Sequence, residues 1–229
     1  MSFDLSKMQK YPVICLLGKR RSGKTWAIRD IVYNHFHKQR KYKFVILVSP
    51  TARLNEDYAF IPDDFKFEEF SETLLMSLMK RQADLLKKDK KSAIDTLLIL
   101  DDVVNLADKS QAGILSSLLV KSRHYRISII LSLQYMKARE FPPASRDNLD
   151  YIFVFPQNNK ENIRNIVDQW LGGNKEKEEQ GYRLVYEVPD YITHRVLVIS
   201  NTESTHDLRS ITSSYIAQKI PTNFRIKQY

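Results

Sequence analysis

The sequence predicts an α/β fold: a mostly parallel central sheet with helices on both faces, and additional strands near the C-terminus. Three observations predict it. Short apolar runs alternate with helix-length stretches as far as about residue 171. The runs are continuously apolar rather than alternating, which marks strands buried on both faces. No repeat or low-complexity linker interrupts the chain, so the 229 residues are expected to form a single domain. Its core would span about residues 11–200, with a basic tail over about 201–229.

Taken in order, Val13–Leu17 is a buried strand ending at Gly18. Residues 25–41 space Trp26, Ile28, Ile31, Val32 and Phe36 as a helix does and close in basic residues. Residues 44–49 form a second strand, stopped by Pro50. Residues 51–70 read as irregular, rich in Asp, Pro and aromatics. A helix over 71–88 opens on Ser71 and closes on lysines that suit the negative end of its dipole. Residues 96–100 are a third strand running into Asp101 and Asp102, and 111–120 a helix. Ile127–Leu133 is a fourth strand ending at Gln134, and 151–155 a fifth. A helix over 163–171 is closed by Gly172 and Gly173. An acidic–basic patch follows at 174–180, then strands at 184–187 and Arg195–Ser200.

Composition excludes several classes. The lone cysteine, Cys15, rules out an intrachain disulfide framework and reads as core packing in the first strand. No apolar run approaches the ~20 residues of a membrane span, and the first ten residues lack the apolar stretch of a signal peptide. A soluble intracellular protein is expected. His35 and His37, two apart on a helix, face different ways and make a poor metal pair. The net charge of +9 makes a phosphate polyanion a plausible partner, without sequence preference.

Residues 18–25, Gly-Lys-Arg-Arg-Ser-Gly-Lys-Thr, fit the phosphate-binding pattern G-x-x-x-x-G-K-[ST] in full, between a strand and a helix. Glycines let successive N–H groups of Gly18, Lys19, Arg20, Arg21, Ser22 and Gly23 turn toward phosphate oxygens. The helix start adds the positive end of its dipole. Lys24 supplies charge for the β- and γ-phosphates of a nucleotide, and the Thr25 hydroxyl suits Mg²⁺. The third strand delivers Asp101 and Asp102 to the sheet edge where open α/β sheets bind ligands. Asp101 there suits Mg²⁺, and Asp102 suits taking a proton from attacking water. The Gln134 amide, at the end of a strand aimed at the same edge, suits holding that water.

These three elements resemble the FtsK–HerA group of P-loop ATPases, and more narrowly the genome-packaging ATPases of large and mid-sized double-stranded DNA viruses and virophages. The likeness is carried by residues 18–25, 97–102 and 123–134, and by Pro142, Pro143, Arg146, Asn148 and Asp150. It implies a strand order with the Gln134 strand between the other two. It implies an ATPase in which Lys24, Asp102, Gln134 and Arg123 are catalytic. Arg123 matches a finger reaching a neighbouring subunit's site, with Arg126 and Arg146 as rivals. Implied partners are double-stranded DNA, further copies of the chain in a ring of five or six, and capsid or portal vertex proteins. The implied place of action is the host cytoplasm or viral factory, with virion association.

Other readings are a helicase-like enzyme, a nucleotide kinase, a GTPase or a nucleotide-gated assembly scaffold. A GTPase would need N-K-x-D, and residues 159–162 lack the Asp. No Arg-rich kinase lid and no L-S-G-G-Q transporter signature is present. Arg20 and Arg21, unusual in such a loop, either add phosphate charge in cis or face solvent. Lys80, Arg81, Lys87, Lys88, Lys90 and Lys91 form one basic cluster, and Lys219, Arg225 and Lys227 another. Each is either a solvated face or a DNA-facing rim. Lys137 and Arg139, just past Gln134, are placed to couple nucleotide state to DNA.

Overall fold

The computed structural model describes residues 1–40, 42–89, 94–103, 108–136, 141–205 and 207–227. Lys90, Lys91, Lys137 and Arg139 lie outside them.

The sheet has eight strands: β1 (Val13–Leu17), β2 (Phe44–Val48), β3 (Lys66–Phe67), β4 (Thr96–Asp101), β5 (Ile127–Leu133), β6 (Tyr151–Val154), β7 (Arg195–Ser200) and β8 (Thr212–Ile216). Their order is β3-β2-β4-β5-β1-β6-β7-β8. The first six are parallel, while β7 and β8 run antiparallel to their neighbours. β5 lies between β4 and β1, in the order the resemblance implies. Parallel pairing sets the carboxyl ends of β1, β4 and β5 side by side, with Leu17 opposite Leu133 and Asp101 opposite Ser132.

Because side chains alternate across a strand, the sheet has two apolar faces. Ile14 and Leu16 point to one, covered by α1 (Lys24–Ile31) and its continuation Val32–Gln39, which packs Ile28, Ile31, Val32 and Phe36. In that continuation the hydrogen bonds widen by a residue: the Arg40 N–H donates to the His35 carbonyl. Val13, Cys15 and Leu17 point to the other face. It is covered by α2 (Glu72–Lys88), α3 (Lys109–Lys121), α4 (Pro143–Arg146), α5 (Lys160–Ile166) with its continuation Val167–Leu171, α6 (Lys175–Glu187) and α7 (Leu208–Ile211). Ser71 caps α2 by accepting from the Leu74 N–H, as its sequence position predicts. Among the described residues no helix is long and apolar enough to cross a membrane.

One expectation fails. Residues 184–187 are not a strand but the last turn of α6, a helix that starts inside the expected acidic–basic patch, where Asn174 accepts from the Lys177 N–H. Leu184 and Val185 form a short apolar run, but helical spacing from Tyr182 is what packs them against the core. The basic tail adds to both sheet and core. β8 completes the sheet, and Ile220, Phe224 and Ile226 are buried on the α1 face. Buried Asp30 of α1 accepts from the Gln218 N–H at 2.8 Å, from the Tyr215 hydroxyl and from the Asn34 amide, fastening the tail to the helix after the glycine loop. Outside β8, the Ser214 N–H donates to the Met1 carbonyl and the Phe3 N–H to the Ser214 carbonyl.

Candidate nucleotide site

Where β1 ends, the Gly18 N–H donates to the carbonyl of Leu133 at the end of β5, so the loop starts locked to the neighbouring strand tip. Gly18 permits no side chain: a Cβ there would sit 2.6 Å from the Phe155 Cβ and 2.7 Å from the Ser22 Oγ. Gly23, at φ +96°, takes a left-handed turn that reverses the chain into α1. The turn folds Lys24 back over its own loop, where its ammonium donates to the Gly18 carbonyl at 2.7 Å and the Lys19 carbonyl at 3.2 Å. Lys24 is only 6% exposed, and burial is the main cause that lowers its pKa, opposed by Asp102 and Asp101.

β4 delivers the acids. Asp101 is 7% exposed and accepts a 2.7 Å hydrogen bond from the Tyr58 hydroxyl. Asp102 follows at φ +50°, a left-handed conformation that swings its carboxylate toward Lys24, 3.9 Å away. The Gln134 amide, one residue past β5, donates to Asp102 at 3.1 Å. Burial raises the Asp102 pKa, against the lowering influence of Lys24. A carboxylate so raised is a better proton acceptor near neutral pH.

These groups line one open cleft of about 630 Å³, with Arg20, Arg21, Ser22, Gly23 and Thr25 on one wall. Lys19 turns aside, its ammonium 4.8 Å above the Tyr191 ring. The Ser22 hydroxyl is buried without a partner, an unspent polar group in the wall of the glycine loop. The donor set fits a nucleotide triphosphate: a cradle too tight for a Cβ, an orphaned hydroxyl and a buried ammonium. Thr25 and Asp101 offer the hard oxygen donors that Mg²⁺ takes. Among the described residues no cluster of three or more His, Cys, Asp or Glu gathers, so a cation here depends on phosphate oxygens as well.

Tyr58 escapes the sequence reading, as do Ser49, Thr51, Asn55 and Asp57, which form the opposite wall. One signal was available: residues 44–49 end at the same sheet edge as the glycine loop, so whatever follows Pro50 has to border the crevice.

Arg123 lies elsewhere. It stands before β5, at the amino end of the sheet, and its guanidinium donates to buried Asp150 before β6. Asp150 also accepts from the Val13 N–H at 2.7 Å. The Arg123 side chain is 44% exposed, against 25% for Arg126, which pairs with Asp95, and 8% for Arg146, which is sealed in the core. Within one chain, none of the three lines the cleft. His35 is fully buried, and His37 packs between Tyr33 and Phe224. Burial pushes the Cys15 thiol up to about 12.

The family model of the Poxvirus A32 protein matches residues 1–215. The chain is 32% identical over 181 residues to the uncharacterized protein L437 of Acanthamoeba polyphaga mimivirus, covering 75% of this chain and 62% of that protein. It is 31% identical over 160 residues to the uncharacterized protein 075L of Invertebrate iridescent virus 6, covering 69% and 60%. The alignments thus span under two thirds of those relatives' lengths. In fold, the chain is similar to the genome packaging NTPase B204 of Sulfolobus turreted icosahedral virus 2, solved with sulfate, at TM-score 0.60 and 17% identity over 93% of this chain and 99% of that one. The same protein has been solved with AMPPCP, matching at TM-score 0.59 and 16% identity over 93% of this chain and 100% of that one.

Proposed function

This chain belongs to the Poxvirus A32 protein family, and on that premise we propose that it is an ATP-hydrolysing, ring-forming motor that moves double-stranded DNA to package a viral genome. The observation that carries the reading is the meeting of Lys24, Asp101, Asp102 and Gln134 on one cleft at the carboxyl edge of the sheet. A nucleotide analogue bound to the packaging NTPase of similar fold points the same way.

The chemistry follows from the side chains. Lys24 exchanges its two carbonyl bonds for phosphate oxygens, which need its charge more than neutral carbonyls do. Thr25 and Asp101 would hold Mg²⁺, which supplies charge neutralisation at the phosphates. Gln134 and Asp102 already touch, so a water bound beside the pair can be oriented by the Gln134 amide and give its proton to Asp102. That water attacks the γ-phosphorus in line as the bond to ADP breaks, ADP leaves with the bonding electrons, and the proton goes to Asp102. Growing negative charge on the transferring group needs a cation that no described arginine of the same chain brings into the cleft beyond Arg20 and Arg21. Arg123, exposed at the opposite sheet end, is available to a neighbour stacked head to tail, which ties turnover to ring assembly.

Phosphate release, measured with and without double-stranded DNA over a range of protein concentrations, tests this. Both DNA and rising concentration should stimulate the motor. Stimulation by a small phosphate acceptor instead would mark a kinase, and response to neither a scaffold. Arg123→Ala should cut turnover about a thousandfold while ATP still binds. Full turnover in that variant removes the finger assignment.

A further inference from the structure

Helices that follow parallel strands run back antiparallel to them, so their last turns come to the sheet's amino end. In this chain those turns are lysine-rich. The α1 continuation ends near Lys38, and α2 ends at Lys87 and Lys88. Two clefts open at that end. The first, about 410 Å³, is lined by Lys80, Arg81 and Lys88, with Asp84 as its single acid. The second, about 550 Å³, is lined by Lys38, Lys43, Arg225 and Lys227 and has no acid. Burial and the neighbouring Lys38 hold the second cleft's one histidine, His37, below its usual pKa.

The start of β2 stands between the two clefts, with the first on the α2 face of the sheet and the second on the α1 face. The Arg81 guanidinium lies 4.1 Å above the ring of Phe44, and Lys43, the preceding residue, lines the second cleft. Both walls are fixed. Gln82 donates to the Ile94 and Tyr125 carbonyls and locks α2 to the entries of β4 and β5. The Ile226 N–H donates to the Phe60 carbonyl, and Phe224 stacks on Phe60, so the tail at Phe224 and Ile226 is held against the body. Basic residues of α2 and, more than 130 positions later, of the tail are therefore brought to the amino end of the sheet. Lysines in a last turn complement the helix dipole anyway; Lys43, Lys80, Arg225 and Lys227 do not stand in last turns.

Resting on the motor reading above, we infer that these two clefts form one track for the phosphate backbone of double-stranded DNA. Single-strand binders offer exposed aromatic rings on which bases stack. Here the rings are beneath the cations: Tyr42 is 4% exposed and Phe44 is partly buried under Arg81. Among the described residues the two clefts present ammonium and guanidinium groups over buried or partly buried Tyr42 and Phe44, a surface that reads charge and spacing, not sequence.

The test is the salt dependence of double-stranded DNA binding by the full chain, followed by fluorescence anisotropy with and without AMPPCP. The paired variants are Lys80→Ala with Lys88→Ala, and Lys38→Ala with Lys227→Ala. Lys160→Ala with Lys175→Ala, on the face of α5 and α6, removes equal charge as a control. Each cleft pair should weaken binding about tenfold near 0.1 M salt and reduce the slope of log K against log salt by about 1 for every phosphate left unneutralised. The control pair should do neither. Equal weakening in the control, an unchanged slope, or no DNA binding by the unaltered chain overturns the track. So does a change in assembly mass with DNA affinity intact, which would make the clefts a subunit interface. If the expected weakening appears but the unaltered chain hydrolyses no ATP, the motor reading fails and the track stands.

Discussion

Strand β4 has acids at both ends, and the two ends use them differently. At its entry Asp95 accepts from the Tyr11 hydroxyl at 2.9 Å and pairs with Arg126, and Asp150 at the entry of β6 is held in the same manner by Arg123 and the Val13 N–H. Those contacts tie one strand entry to the next. At the exit of β4, Asp101 and Asp102 line an open cleft, held by partners a bound triphosphate would rearrange. Strand direction separates the two cases. A parallel sheet offers loops and helix starts at its carboxyl edge, and helix ends at the other.

If that division is right, alterations at the carboxyl edge should affect nucleotide binding and leave stability largely intact, while alterations of buried groups remote from it should change stability and leave nucleotide binding intact. The largest loss of nucleotide affinity expected is from Gly18→Ala, since the new methyl would lie 2.6 Å from the Phe155 Cβ and displace the loop. AMPPCP affinity in a calorimetric titration should fall at least about a hundredfold, near 3 kcal/mol. A loss below tenfold would mean the loop tolerates a side chain and the cradle is not tight.

His35 provides the reverse test. Burial lowers its pKa to about 4, the first cause, with Arg40 adding to it. The unfolded chain, with an ordinary value near 6.5, binds the proton more tightly, so stability drops as pH falls from about 6.5 toward 4. By pH 5 the drop is about 2 kcal/mol. His35→Phe should remove that part of the pH dependence in urea denaturation while AMPPCP affinity at pH 7 stays constant. A pH profile unchanged by the substitution would put the acid sensitivity elsewhere.

Tyr58→Phe is expected to be the mildest. It deletes the hydroxyl that donates to Asp101, worth about 1 kcal/mol because solvent in the cleft can replace it. Mg²⁺-dependent nucleotide affinity should weaken a few-fold, and a loss as large as that of Gly18→Ala would promote Tyr58 from a supporting group to a principal one.

Local signals carried most of this molecule. Residues 18–25 specify a loop chemistry by spacing alone, and continuous apolar runs specify buried strands whose exits share an edge. The parts that sequence hides are settled by contacts between distant segments. Residues 184–187 look like a strand until Asn174 is seen capping a helix ten residues earlier. Tyr58 sits in an irregular stretch with no period to reveal that it reaches Asp101 across 43 positions. Nothing in the tail's composition says that Tyr215 and the Gln218 N–H will close on Asp30. The Arg123 pairing with Asp150 is equally silent, since the sequence singles out both residues by resemblance but nothing in their spacing of 27 positions says that they meet.

The pairing of Ser214 with Met1 and Phe3 has a wider meaning. β8 is an outermost strand, and its midpoint is already engaged by the chain's own first residues. The opposite margin, β3, is only two residues long. Neither rim gives a stranger's backbone much to zip onto, so the blunted rims guard against edge-to-edge aggregation. In the ring proposed above, copies of this chain would meet through helical faces and strand tips rather than through sheet edges.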